Sequence, residues 1–276
     1  MRPTPAPAAT RAFAQLYCPP AQREVLAALL NIEAQIATSL RRGLDHQVAH
    51  ARLAFWREEC ARCAAGHPAH PLTRELLAAF HGADRTALGG VGGLVDTATW
   101  DLAAATFETR HELSAYCERW AEAIVLPIAR CAAPAVAPQI GRALGAALRE
   151  TELLCRLAPE AGAGRLRFPL DELSAAGATP AQLARPPWPT PLSERIAQRH
   201  RELRIALAAA AGALAPAERP PLRALLVWTA LAAAGSHRAE RRLPGALASG
   251  EDRAPLDAWR AWRAARRADA GRPTPS

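Results

Sequence analysis

Apolar residues recur along this chain at intervals of three and four, the spacing that lines one face of an α-helix. Leu26, Leu29, Leu30, Glu33 and Ala37 share such a face, and the carboxylate of Glu33 interrupts an otherwise apolar stripe. A first helix is predicted to begin after Thr10, to break at Pro19-Pro20 and to resume from Arg23 to about Leu40. Further helices are predicted over Asp45–Cys63, Leu72–Phe80, Thr99–Thr106, Arg110–Leu126 and Gln139–Leu157. ADRTALGGVGGLVD and PEAGAG read as loops, and the Pro-rich ARPPWPTP (184–191) as a linker. Thr179-Pro180-Ala181-Gln182 has the form of a capping box with Pro at the first helical position. Three more helices are predicted over Leu192–Leu214, Pro221–Arg242 and Pro255–Arg267. Pattern alone therefore gives a bundle of about eight to ten helices without an internal repeat.

Composition strengthens the all-α reading. Half of the 276 residues are hydrophobic but only 5% are aromatic, so Ala and Leu must build most of the core, and both favour helices. The length suits one large domain, expected over residues 11–268, with tails at 1–10 and 269–276. All 34 basic residues are Arg, and the net charge is +8. The charge is dispersed rather than gathered in one patch, which argues against a nucleic-acid partner. The longest apolar stretches, 205–215 and 224–235, fall short of the ~18 residues that cross a bilayer. Six cysteines in no tight framework, with no leader-like opening segment, fit reduced thiols in the cytoplasm, free or peripheral to the inner membrane face.

Several strings, in order, resemble the squalene/phytoene synthase family, enzymes that join two prenyl diphosphates head to head. FAQLYCPPAQR (Phe13–Arg23) is similar to the family's opening helix, RLAFWREE (Arg52–Glu59) to its RLxWWRxE string, and His70-Pro71-Leu72 follows at the expected distance. DLAAATFETRHELSAYC (Asp101–Cys117) and GRLRFPLDEL (Gly164–Leu173) continue the match over residues 13–173. The resemblance implies a single-domain isoprenoid-synthase-like helical bundle and a prenyl diphosphate or other isoprenoid lipid as partner.

It also implies two DxxxD motifs on facing helices. Carboxylates four residues apart lie on one helix face and could hold Mg²⁺ against the diphosphate. Counted from Pro20 and Arg23, the first motif falls on Ala37 and Arg41; counted back from Gly164 and Pro169, the second falls on Arg156 and Glu160. Glu152 and Arg149 take the places of the family's Asn and Gln upstream of the second motif. Glu118, Glu122 and Val125 replace a Tyr and two glycines beside the substrate tunnel, and are expected to narrow it. The expectation is a catalytically degenerate member, a pseudoenzyme that binds a prenyl lipid or acts in assembly. No catalytic or metal-ligating residues are assigned, and Glu33, Tyr116, Glu152, Glu160 and Arg165 are the candidate ligand-binding residues. Asn31-Ile32-Glu33 is similar to a string in non-catalytic relatives that assemble a respiratory complex. The alternative is an active Mg²⁺-dependent prenyl transferase using displaced carboxylates among Glu33, Glu150, Glu152 and Glu160, with Glu152 and Glu160 two turns apart on one face.

Three further features invite chemistry. Cys60, Cys63, His67 and His70 have the spacing of a Cys₂His₂ zinc site, but Cys60 and Cys63 sit one turn apart on a predicted helix and read as packing residues. GGVGG (Gly89–Gly93) lacks the strand and Lys of a phosphate loop and reads as a flexible turn. DAWRAWRAARRA places Trp259 and Trp262 one turn apart among Arg residues. Packing of both indoles on the bundle is the favoured expectation, with peripheral membrane contact as the other.

Overall fold

The computed structural model describes residues 8–41, 43–80, 85–247 and 255–273, and among them no strand occurs. The chain runs α1 (Ala8–Leu16), α2 (Pro20–Ala37), α3 (His46–Ala64), α4 (Pro71–Ala79), a 3₁₀ helix (Arg85–Gly92), α5 (Gly93–Leu102), α6 (Arg110–Ala132), α7 (Pro138–Cys155), α8 (Leu157–Gly162), α9 (Leu170–Ala175), α10 (Pro180–Leu183), α11 (Thr190–Gly212), α12 (Arg223–Arg242) and α13 (Asp257–Asp269). The boundaries follow local chemistry. Pro occupies the first turn of α2, α4, α7, α10 and α11, where its missing N–H costs no helical bond. The Asp45 carboxylate caps α3 by accepting from Gln47 and Val48 N–H, and the Thr179/Gln182 capping box opens α10. The expected tails fall largely outside the described residues; within them, residues 8–10 open α1 and Asp269 closes α13.

The fold is an all-α single domain built around α6 and α7, which pack along each other. α2 covers one side of α6, while α11 and α12 flank α7. Val25, Leu29, Ile32 and Ile36 of α2 meet Trp120, Ile124 and Ile128 of α6 and Leu144 and Leu148 of α7 in the main core. The approach of α6 to α7 depends on Gly145. A Cβ there would stand 2.5 Å from the Ala121 Cβ and 2.9 Å from the Val125 Cβ. Val125 therefore fits beside its neighbour helix because α7 is thin at that level.

Five expectations are corrected. The GGVGG string is no flexible turn: Gly89–Gly92 form the second half of the 3₁₀ helix, whose Leu88 and Val91 are buried, and Gly93 opens α5. Gly90 there lies so close to α6 that a Cβ would meet the Glu122 carbonyl oxygen at 2.6 Å. α5 accordingly begins at Gly93, not Thr99, and ends at Leu102. α6 continues through Pro127 to Ala132, because burial of Leu126–Ala129 outweighs the one backbone bond that Pro removes. The 184–191 segment is not a free linker. Trp188 is buried, donating its Nε1–H to the Leu183 carbonyl (3.0 Å), and its backbone N–H donates to the Pro244 carbonyl (2.8 Å). It belongs to a second core with Phe168, Leu173, Leu192 and Ile196. Finally, α13 buries Ala261, Ala264 and Ala265 against Val227 and Leu231 of α12 and Ala268 in the main core, which leaves Trp259 and Trp262 outside. Small residues give close helix–helix approach, so the alanine face won the contact that the indoles were expected to make.

Candidate functional site

The candidate site lies where α1, α2, α6, α7 and α12 converge. α2 turns Glu33 inward, α7 supplies Arg149 and Glu152 one turn apart, and α6 supplies Tyr116 and Trp120 one turn apart. Into this space α1 projects Arg11, a residue only 3% exposed. Its guanidinium forks onto Glu152, Nε to Oε1 at 2.9 Å and Nη2 to Oε2 at 2.6 Å, while Nη1 donates to Glu33 Oε2 at 2.6 Å. The guanidinium carbon sits 5.0 Å from the Trp120 ring and 5.2 Å from the Trp228 ring, two indoles meeting edge to face. Such geometry combines a bidentate ion pair with cation–π contact on two sides.

Arg149 is the second buried cation. Its Nη1 lies 3.5 Å from Glu152 and 3.9 Å from Glu33, and Nη2 donates to the Tyr116 hydroxyl at 3.3 Å. Glu33 Oε1 accepts from the indole N–H of Trp120 at 2.8 Å. Two carboxylates thus face two guanidiniums, and the centre is neutral. Burial by itself would raise the Glu33 carboxyl, yet Arg11 and Arg149 overcome it and hold the carboxyl below the usual carboxylate range. Burial likewise works against charge on Arg11, and Glu152 and Glu33 more than offset it.

The polar chain continues outward. The Tyr116 hydroxyl meets Asp101 Oδ2 at 3.3 Å, and Arg167 Nη2 meets Asp101 Oδ1 at 2.6 Å. Burial raises the Tyr116 phenol and keeps it protonated. Glu160 accepts from Arg165 Nε at 2.6 Å and lies 3.8 Å from Arg156; burial pushes its carboxyl up, but Arg165 brings it below the usual range.

Of the candidate residues, then, Glu33, Tyr116 and Glu152 come together around Arg149, while Glu160 and Arg165 pair with each other beyond Asp101 and Arg167. The shared face expected for Glu152 and Glu160 does not form, because α7 ends at Cys155 and Glu160 belongs to α8. Glu150 turns away from the centre, where Arg199 Nε meets it at 3.0 Å; the same guanidinium holds Glu172 at 2.9 Å and Glu202 at 3.2 Å. Glu118 is solvent-exposed, and Glu122 pairs outward with Arg142 at 2.7 Å, so neither fills a tunnel; of the three replacements only Val125 is buried. Sequence reasoning missed Arg11, Trp228, Asp101 and Arg167 as members of the network. Arg11 carried one signal: it is the lone cation beside the buried Ala14 of the first helix.

The donor set does not suit Mg²⁺. That ion binds hard anionic oxygens in octahedral geometry, but each oxygen of Glu33 and Glu152 already accepts from a guanidinium or an indole. Two fixed positive charges on the same carboxylates would repel it. A cavity of about 220 Å³ instead opens between α5 and α6, lined by Asp96, Trp100, His111, Glu112 and Arg119, and reaches only the edge of the network at Tyr116. The cysteine–histidine group is structural: His70 Nδ1 caps α4 by accepting from Leu72 N–H, and Cys63 Sγ faces the Thr73 carbonyl. Burial raises the Cys60 and Cys63 thiols to about 12 and 11. Glu59 of the RLAFWREE string anchors the adjacent turn, accepting from Ala69 N–H, His70 N–H and the Thr73 hydroxyl.

A sequence profile of squalene/phytoene synthase matches residues 4–260. A dehydrosqualene synthase in complex with ligand superposes with a TM-score of 0.75 at 15% identity, covering 94% of this chain and 90% of its own. A squalene synthase HpnC from Alicyclobacillus acidocaldarius gives a TM-score of 0.67 at 17% identity, covering 86% of this chain and 89% of its own. A comparison with curated protein sequences found no match.

Proposed function

This chain belongs to the squalene/phytoene synthase family, and we propose that it is a member whose catalytic centre has become a closed internal ion network. The scaffold then serves to bind an isoprenoid lipid or to assemble with another protein, not to condense prenyl diphosphates. The observation that carries this reading is the Arg11 guanidinium seated on Glu152 and Glu33. A diphosphate-ionising site needs carboxylates free to hold metal and a cavity able to take a long apolar chain. Here the carboxylates that face each other across α2 and α7 are neutralised from within, and two indoles and two guanidiniums fill the space between them. Electrostatic stabilisation of the leaving group is usually the largest catalytic contribution, so its loss is not made up elsewhere.

A second reading rests on the same convergence. Glu33 and Glu152 project from facing helices toward one point, and withdrawal of Arg11 would leave two carboxylates there for an active Mg²⁺-dependent prenyl transferase. One assay separates the two. Purified full-length protein is incubated with Mg²⁺ and farnesyl or geranylgeranyl diphosphate, and diphosphate release is followed. No release above a protein-free control is expected. Release that Glu152→Gln abolishes would establish the transferase. Thermal shifts with farnesyl diphosphate and with an uncharged prenyl alcohol, run in parallel, report whether an isoprenoid binds without turnover.

A further inference from the structure

α13 presents to solvent a face that the bundle does not use. Trp259 and Trp262 stand one turn apart, 51% and 52% exposed, and Leu256 just ahead of the helix is 58% exposed. Large apolar side chains are seldom left in water side by side, and a group of them marks a contact surface. The charged groups set against the two rings are both positive. The Arg263 guanidinium lies 4.4 Å over the Trp259 ring and that of Arg266 lies 5.9 Å from the Trp262 ring. The two acidic residues of the helix are already engaged elsewhere: Asp257 accepts from Arg238 and Arg260, each at 3.0 Å, and Asp269 faces Arg223 at 3.5 Å. Among the described residues no carboxylate forms an ion pair with Arg263 or Arg266.

We propose that this face of α13 docks on the surface of an anionic lipid bilayer. Indoles settle at headgroup depth, with an apolar ring and an N–H that reaches water, and guanidiniums pair with the phosphates beside them. The surplus of Arg complements a dense layer of lipid phosphate, and the whole chain carries a net charge of +8. A protein partner fits less well, since two indoles and one leucine cover far less than the ~800 Å² per side of a stable protein interface. The helix is already folded and anchored through its alanine face to α12. Docking therefore needs no refolding and buries only the outer side chains, which makes it shallow and salt-sensitive. It is independent of how the central ion network is read.

Sedimentation of the full-length protein with lipid vesicles tests the proposal. Vesicles of phosphatidylcholine alone are compared with vesicles in which about one-third of the lipid is phosphatidylglycerol. Binding is expected to the anionic vesicles only, with a blue shift of tryptophan emission, and to fall steeply as salt is raised to about 0.5 M. The W259A/W262A variant should lose on the order of tenfold or more in partitioning. R263Q/R266Q should lose a similar factor, at roughly fivefold per arginine, while keeping both indoles. Neither pair lies in the core, and thermal melts of the variants establish that they fold. No binding to anionic vesicles overturns the proposal, as does binding that both variants leave unchanged. Self-association abolished by W259A/W262A, without lipid binding, assigns the face to a second copy of the chain instead.

Discussion

Arg11 and Glu152, 141 positions apart in sequence, form a two-point ion pair in the centre of the bundle, at 2.9 and 2.6 Å. The pair joins the first helix to α7 in the buried interior. It follows that the charges are mutually dependent. Arg11→Met should destabilise the protein by about 3–5 kcal/mol, because it leaves Glu33 and Glu152 buried with one cation between them. Adding Glu152→Gln to that variant should recover much of the loss, since Glu33 and Arg149 then balance each other. Urea denaturation of the three proteins measures both changes, and additive losses would show that the network is not coupled.

Metal should have little hold on the wild-type protein. Millimolar Mg²⁺ is expected to leave its melting temperature unchanged, because an ion that does not bind the native state cannot stabilise it. The R11A/R149Q variant frees both carboxylates, and its melting temperature should rise with Mg²⁺. Scanning calorimetry with and without the ion reads both results; a clear wild-type response would contradict the closed-network reading.

Two buried groups, His200 and Glu59, should each contribute stability that is lost with acid, in separate pH windows. Burial, helped by Arg204, lowers His200 from 6.5 to about 4, and its ring nitrogen bonds the Ser236 hydroxyl. The unfolded chain therefore takes up this proton first. The contribution is fully present above 6.5 and is lost as pH falls toward 4. Glu59 has the opposite chemistry and the same sign. Burial would raise its carboxyl, but the Thr73 hydroxyl, backbone N–H groups and Arg62 bring it from 4.5 to about 2. Its contribution is present above 4.5 and is lost as pH falls toward 2. Melting curves across pH should show His200→Gln flattening the first window and Glu59→Gln the second, with Glu59→Gln also less stable at neutral pH.

Gly145 sets the distance between α6 and α7. Gly145→Ala places a methyl against Ala121 and Val125 and should cost about 1–3 kcal/mol through overpacking. Gly162→Ala, in α8 with no neighbouring atom within 4 Å, is the control and should cost nothing. Equal effects at the two positions would remove the packing argument.

The order of elements was written in the chain itself. Ala and Leu at helical spacing, Pro in first turns, Asp45 as a cap and the Thr179/Gln182 box place most helices within a few residues, because these signals act over one or two turns. The family was legible for a related reason: strings such as RLAFWREE carry residues that the fold uses, as Glu59 does in anchoring the His70 turn. Glu33 could be picked out as a carboxylate on an apolar helix face, and Tyr116 and Glu152 from their places in the family-like strings. What meets them could not. Arg11 meets Glu152 from 141 positions away, Glu160 leaves the α7 face because the helix stops at Cys155, and α13 turns its alanines inward and its tryptophans out. Each of these outcomes is a competition between helix faces for one packing site. Local sequence fixes which faces exist, and only the assembled bundle decides which of them meet.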